Sequence, residues 1–188
     1  MKIDEIIIGT RVSKLALFQS NLVLNQLKKS FPKILFKLKE IKTKGDFLLN
    51  QNIESSIEKG FFVREIQKKL LDKEIDIAVH SMKDLPVEKI KGLQISAILK
   101  RGNHRDAFLS RDGMSIYEMS HLSTVATSSN RRKSQLLRIN PEINVISIRG
   151  NIDTRISKMK KGYCDGLVLA GAGIERLSLN KEITNYFN

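Results

Sequence analysis

Residues 76–86 read DIAVHSMKDLP, which places His80, Ser81, Lys83 and Asp84 directly behind the apolar run Ile77-Ala78-Val79. A short run of this kind suits a strand buried on both faces, and Pro86 bars continuation of the ladder, so the polar cluster is expected at a strand's carboxyl end. Asp84 has two readings. It pairs with Lys83 or caps the following turn, the common fate of a loop aspartate; or it serves as an acid/base or as a counter-charge for a cationic intermediate. Spacing alone does not choose. A second constellation, Thr127-Ser128-Ser129-Asn130-Arg131-Arg132, brings hydroxyls, helix-start amides and two guanidiniums together, a set suited to carboxylate or phosphate oxygens. Arg11 behind Gly9-Thr10, and Arg149-Gly150 with Arg155, add charge at other strand ends. The bland alternative is that Ser128 or Ser129 caps a helix and the arginines are solvated. Recurrence of arginine or lysine behind strand ends in both halves of the chain favours anion binding.

The elements that must position these groups follow from periodicity. Ile6-Ile7-Ile8 predicts a strand, and Leu15, Phe18, Leu22, Val23 and Leu27 recur at helical steps from about Ser13 until Pro32 blocks continuation. Residues 35–41 read as a second strand ending in Lys42-Thr43-Lys44-Gly45-Asp46, and Phe62, Ile66 and Leu70 share a helix face before the strand at Ile77. Strand, helix, strand, helix, strand favours a parallel sheet covered by helices. The second half repeats the plan: strands at 124–127, 144–148 and 167–170, helices at 131–139 and 152–161, and a close on Gly171-Ala172-Gly173. The expected fold class is therefore α/β, with two similar lobes of parallel or mixed sheet flanked by helices, residues 1–100 and 101–188. Basic rims facing one another across the two lobes would form a cleft for a large polyanion, because ligands of open α/β sheets bind outside the carboxyl ends of strands.

Composition narrows the partners. The 188 residues include 33 Lys+Arg against 20 Asp+Glu, a formal net charge of +13, so a partner meeting the basic face is anionic. Cys164 is the only cysteine, which rules out an intrachain disulfide and a multi-thiolate zinc site and fits a reducing, cytoplasmic setting. No apolar run approaches a signal peptide or a membrane span, so no membrane association is expected. His80, His104 and His121 lack metal-ligand spacing; each is expected to be satisfied or solvated, and no metal is expected. GAGIER has too few glycines for a nucleotide fingerprint. Nucleic acid is disfavoured by 6% aromatic residues and by arginines gathered at strand ends rather than along one exposed helix.

Eight segments together resemble one enzyme family. IGTRVSKLAL (8–17), TKGD (43–46), KGFFVREIQKKLL (from 59), DIAVHSMKDLP (from 76), RDAFLS (from 105), ATSSNRR (from 126), IRGNIDTRISKM (from 148) and AGAGIERL (from 170) are, in order, similar to porphobilinogen deaminase, or hydroxymethylbilane synthase. The resemblance implies a transferase of haem biosynthesis that joins four porphobilinogen units head to tail with loss of ammonia. It also implies a dipyrromethane cofactor, held by a thioether to a cysteine of a third domain. On matching positions, Asp84 would bond pyrrole N–H groups and stabilise the electron-poor azafulvene left after deamination. Arg11, Ser13, Lys83, Thr127, Ser129, Arg131, Arg132, Arg149, Arg155 and Arg176, with Ser81, Ser128 and Gly150, would hold the acetate and propionate groups of cofactor and substrate. Two carboxylates per ring give the positive charge a use.

Lys14, Asn130 and Glu58 depart from the family's usual proline, aliphatic residue and glycine. The chain ends at Asn188, ahead of the family's return crossover to the first lobe and of its α+β third domain, so both are expected to be missing, the apolar faces that meet them exposed, and activity alone in doubt. No cofactor-attachment cysteine is expected here, since Cys164 matches an ordinary position suited to small apolar filler. A monomer is expected. The rival from another class is a two-lobed binder of a polycarboxylate anion without turnover, since type II periplasmic-binding modules share this architecture.

Overall fold

The computed structural model describes residues 4–46 and 63–187, so Phe62, Glu58 and Lys59 lie outside the described residues. The chain divides into two compact units, Met1–Leu99 and Lys100–Asn188. In the first, β1 (Glu5–Arg11) lies between β2 (Leu35–Ile41) and β3 (Ile77–Ala78), all parallel. The consecutive isoleucines of β1 are explained by cover on both sides. Ile8 packs with Leu24 of α1 (Lys14–Ser30) and Phe36, while Ile7 joins Ile66 of α2 (Arg64–Leu71), Ile41 and Ile75 on the other face.

Two sequence expectations need correction here. The buried stripe of α1 is Ser20 and Leu24, with Leu27 packed alongside; Phe18 and Leu22, two residues away and so about 200° around the helix, are exposed. Nor is β3 fully buried: it is a two-residue edge strand of intermediate burial, with Ile77 packed against one cluster and Ala78 against the other. Pro86 ends no long ladder, and residues 86–105 form no strand or helix, leaving Val87, Ile95 and Ile98 exposed.

The second unit holds a five-stranded mixed sheet ordered β6-β5-β7-β4-β8, from β4 (Asp106–Ser110), β5 (Thr124–Ala126), β6 (Asn144–Ile146), β7 (Gly166–Ala170) and β8 (Asn185–Tyr186). β5, β6 and β7 are the three parallel strands expected. The sequence reading missed β4, antiparallel to both neighbours, and the short β8. Helix α3 (Asn130–Ile139) covers one face through Leu136, which packs with Phe108, Val125 and Val168. Helices α4 (Ile152–Lys160) and α5 (Gly171–Arg176) cover the other through Ile156, Met159 and Ile174. Gly171-Ala172-Gly173, on which β7 closes, opens a helix.

Cys164 is buried in the same cluster as Leu167 and Leu169, and burial with the neighbouring Asp165 charge pushes its thiol up to about 11. Thiolate is the reactive form, so iodoacetamide at neutral pH is expected to leave Cys164 unmodified in the folded chain and to alkylate it fully in denaturant, as read by intact mass. Rapid native labelling would show the thiol to be accessible.

Candidate functional site

The polar residues singled out above lie where parallel strands end. In the first unit β1 closes on Arg11, and Ser13 caps α1 by accepting the Ala16 N–H at 3.3 Å. Arg11 forms a short ion pair with Asp46, whose carboxylate also accepts the Thr43 hydroxyl at 2.8 Å and the Thr43 N–H at 3.2 Å. Burial alone would raise the Asp46 carboxyl, but the Arg11 and Thr43 hydrogen bonds outweigh it and hold it below the usual carboxylate range. Behind β3, Ser81 exchanges hydrogen bonds with Gln19 of α1, the closer at 2.9 Å. Met82–Asp84 then forms a single 3₁₀ turn with Lys83 and Asp84 exposed. Among the described residues the Asp84 carboxylate has no side-chain hydrogen bond or ion pair, so it neither caps its turn nor pairs with Lys83. His80 is a further correction. Its Nε2 is neither satisfied nor solvated, being buried without a hydrogen-bond partner, and burial with the nearby Arg11 charge pushes the ring down to about 4.

In the second unit β5 runs into α3. Ser129 caps that helix by accepting the Arg132 N–H at 3.4 Å, and Thr127 Oγ1 accepts the Ser129 N–H at 3.3 Å. Ser128 instead ties β5 to the end of β6, donating to the Ile148 carbonyl at 2.6 Å and accepting the Ile148 N–H at 3.1 Å. Gly150 has φ +119, and a Cβ there would lie 2.8 Å from Thr154 Cγ2, so only glycine makes the turn from Arg149 into α4. Arg155 Nε donates back to the Gly150 carbonyl at 2.7 Å.

The arginines divide into two kinds. Arg131 and Arg132 converge on Asp106, Arg131 Nη2 at 2.8 Å from Oδ2 and Arg132 Nη2 at 2.7 Å from Oδ1. Arg132 also donates Nη1 to the Val168 carbonyl at 3.4 Å, while its Nε is buried without a partner. Arg155 has no carboxylate partner among the described residues. Burial, then the charges of Arg132 and Arg149, push its guanidinium down to about 10. Three cations thus share one rim with too little counter-charge. Arg176, at the end of α5, lies against Gly102. One concavity is lined by Ser110, Arg111, Lys160, Lys181 and Glu182, with Ser110 paired to Gly166 at the amino end of β7.

The sequence reading missed Asp46, Gln19 and Asp106 as parts of these clusters. Asp46 stood in TKGD at a strand end, so position could have flagged it. Asp106 opens a strand, and only the antiparallel course of β4 brings it beside Ala170 at the carboxyl end of β7.

The family model described as porphobilinogen deaminase, dipyromethane cofactor binding domain, matches residues 6–188. The chain belongs to the porphobilinogen deaminase family. The porphobilinogen deaminase of Clostridioides difficile (strain 630) is 45% identical over 182 residues, covering 96% of this chain and 60% of the relative. That of Brevibacillus brevis is 48% identical over 179 residues, covering 95% and 58%. The chain therefore spans about three fifths of the length of the curated relatives it matches. Among solved structures, the periplasmic sulfonate-binding protein SsuA of Methylobacillus flagellatus KT has a TM-score of 0.52 at 10% identity over 98% of this chain and 56% of its own. The Bordetella pertussis BvgS VFT2 domain has 0.50 at 15% identity over 99% and 76%. These likenesses establish an α/β fold of the periplasmic-binding-protein kind. Among the described residues no helix is long and apolar enough to cross a membrane, and no His, Cys, Asp and Glu cluster suits a metal.

Proposed function

We propose that this chain carries the substrate- and cofactor-binding part of a hydroxymethylbilane synthase, which condenses four porphobilinogen molecules into hydroxymethylbilane. Three carbon–carbon bonds within the product and the attachment to the primer are each made with expulsion of ammonia, and water releases the tetrapyrrole. The observation that carries the reading is Arg155, a desolvated guanidinium beside Arg132 and Arg149 with no carboxylate of the protein to neutralise it among the described residues. A buried charge is tolerated where a partner of opposite sign is to arrive, and pyrrole acetate and propionate groups are such partners.

The donor set fits dipyrromethane for the same reason. In the second unit an under-neutralised trio and an unpaired buried Arg132 Nε suit a carboxylate-bearing pyrrole chain, and in the first the Arg11 guanidinium adds a cation at a strand end. That group, when bound, supplies the primer from which the chain grows. Arg132, Arg149 and Arg155 hold carboxylates, with Arg131 and Arg176 contributing charge; Thr127, Ser128, Ser129 and Gly150 shape the strand-end loops of the second unit, and Ser13, Ser81 and Lys83 those of the first. Asp84, exposed and uncommitted, accepts pyrrole N–H hydrogen bonds and stabilises positive charge as ammonia departs. The working protein is read as a cytoplasmic monomer without nucleic-acid or membrane partners. A polycarboxylate binder without turnover would use the same arginines but leave Asp84 idle.

Calorimetric titration of the chain with porphobilinogen is expected to show binding that weakens as salt rises. Binding of duplex DNA in preference to porphobilinogen would defeat the reading.

A further inference from the structure

Asp106 is assigned no task by the reading above, yet its carboxylate is bonded by two arginines. Its two carboxylate oxygens each receive one Nη2 from successive residues, Arg132 on Oδ1 and Arg131 on Oδ2. Its own position is fixed by the ladder: Asp106 pairs with Ala170 of β7, and its carbonyl accepts the Phe187 N–H at 2.9 Å. The carboxylate is thus attached to a rigid strand, whereas the guanidiniums sit on long, flexible stems whose orientation must be set by what they bond. The Asp106 and Arg132 side chains are each only 14% exposed, while Arg131 is 61% exposed. Two of Arg132's donor groups are engaged, by Asp106 and Val168, and Arg131 uses Nη1 on Gln135 at 3.1 Å. One carboxylate therefore holds one arginine inward, its Nε unpaired, and the other at the surface.

We propose that Asp106 is a positioning residue for anion binding, clamping Arg131 and Arg132 in the orientation in which they meet a carboxylate of the ligand. The inference rests on the functional reading above. It is separable from a purely electrostatic role because the two predict opposite signs. An acid near an anion site repels the ligand, so its neutralisation should tighten binding if charge were all that mattered. If orientation matters, neutralisation releases both guanidiniums and binding weakens despite the added positive charge.

The experiment compares the unaltered 188-residue chain with Asp106→Asn and Asp106→Glu. Porphobilinogen affinity is measured by calorimetry at low and high salt, and circular dichroism confirms that each variant is folded at the temperature used. The asparagine variant is expected to bind roughly tenfold more weakly at both salt concentrations, with the glutamate variant between the two. Equal or tighter binding by Asp106→Asn overturns the inference and leaves the functional reading intact. Failure of the unaltered chain to bind porphobilinogen overturns the functional reading and the inference with it. Should Asp106→Asn not fold, Asp106→Glu decides: it keeps the charge but displaces the oxygens by one methylene, so severalfold weaker binding supports positioning and unchanged binding overturns it.

Discussion

Asp84→Asn is expected to reduce porphobilinogen consumption roughly a hundredfold or more in a polypeptide extended to the length of its relatives, with the fold unchanged. The substitution keeps the size of the side chain and one acceptor oxygen and removes only the charge. Its structural cost is small because Asp84 is exposed and its side chain has no hydrogen bond or ion pair among the described residues; the turn is held by the backbone, Asp84 N–H to the Ser81 carbonyl at 2.9 Å. A carboxylate that contributes nothing to stability yet governs turnover is acting on the reacting atoms. The loss should fall on kcat rather than KM, because the proposed function assigns the substrate carboxylates to the arginines and not to Asp84. Colorimetric assay of porphobilinogen, with circular dichroism on the same samples, checks it; wild-type rates in the asparagine variant would remove Asp84 from the chemistry.

The second large effect concerns Arg155→Met, expected to raise stability while weakening porphobilinogen binding by at least about tenfold. Burial and the charges of Arg132 and Arg149 push the folded guanidinium down to about 10, well below the ordinary arginine range. Both folded and unfolded chains carry the charge at neutral pH, so the penalty, of order 3 kcal/mol, is fully present there. It is relieved only as pH climbs above about 10, where the unfolded chain binds more protons than the folded one and stability rises with pH. Methionine removes the penalty but leaves the Gly150 carbonyl without its donor, a loss of about 1 kcal/mol, so the net gain should be on the order of 2 kcal/mol. Urea melts at neutral pH read the first effect and calorimetry the second. A variant that is less stable and binds as before would show that Arg155 serves the fold alone.

Much of this architecture was legible in the residues. Ile6-Ile7-Ile8 and Leu167-Val168-Leu169 are apolar on successive residues, Phe36-Lys37-Leu38-Lys39 alternates within residues 35–41, and each forms the expected strand. Ser13 and Ser129 stand one residue before α1 and α3 and cap them, which is how the helix starts could be placed within a residue. The inward face of α1 was misjudged because its stripe includes a serine, Ser20, whose polarity hides its burial, while Phe18 and Leu22 look like core and are not. β4 escaped because Asp106-Ala107-Phe108-Leu109-Ser110 is too short to have a period, and its direction depends on the partner it finds. The strand-end arginines were visible as a group. Their division into clamped and uncompensated members was not, since it depends on a carboxylate more than twenty residues earlier in the chain.

The antiparallel course of β4 also decides where the polypeptide tolerates length changes. Ala107 and Leu109 pack on one face of the sheet and Phe108 on the other, all three at 0% exposure. Adding or deleting a single residue within this strand would send the phenylalanine towards the helices α4 and α5 and turn the acid away from its arginines. Arg111 just after the strand is still tied to Asp165, its N–H donating to the Asp165 carbonyl and its guanidinium pairing with the carboxylate, both at 2.9 Å, whereas the exposed bend at Asp112-Gly113 is under no such constraint. Loop grafting and affinity-tag insertion belong there.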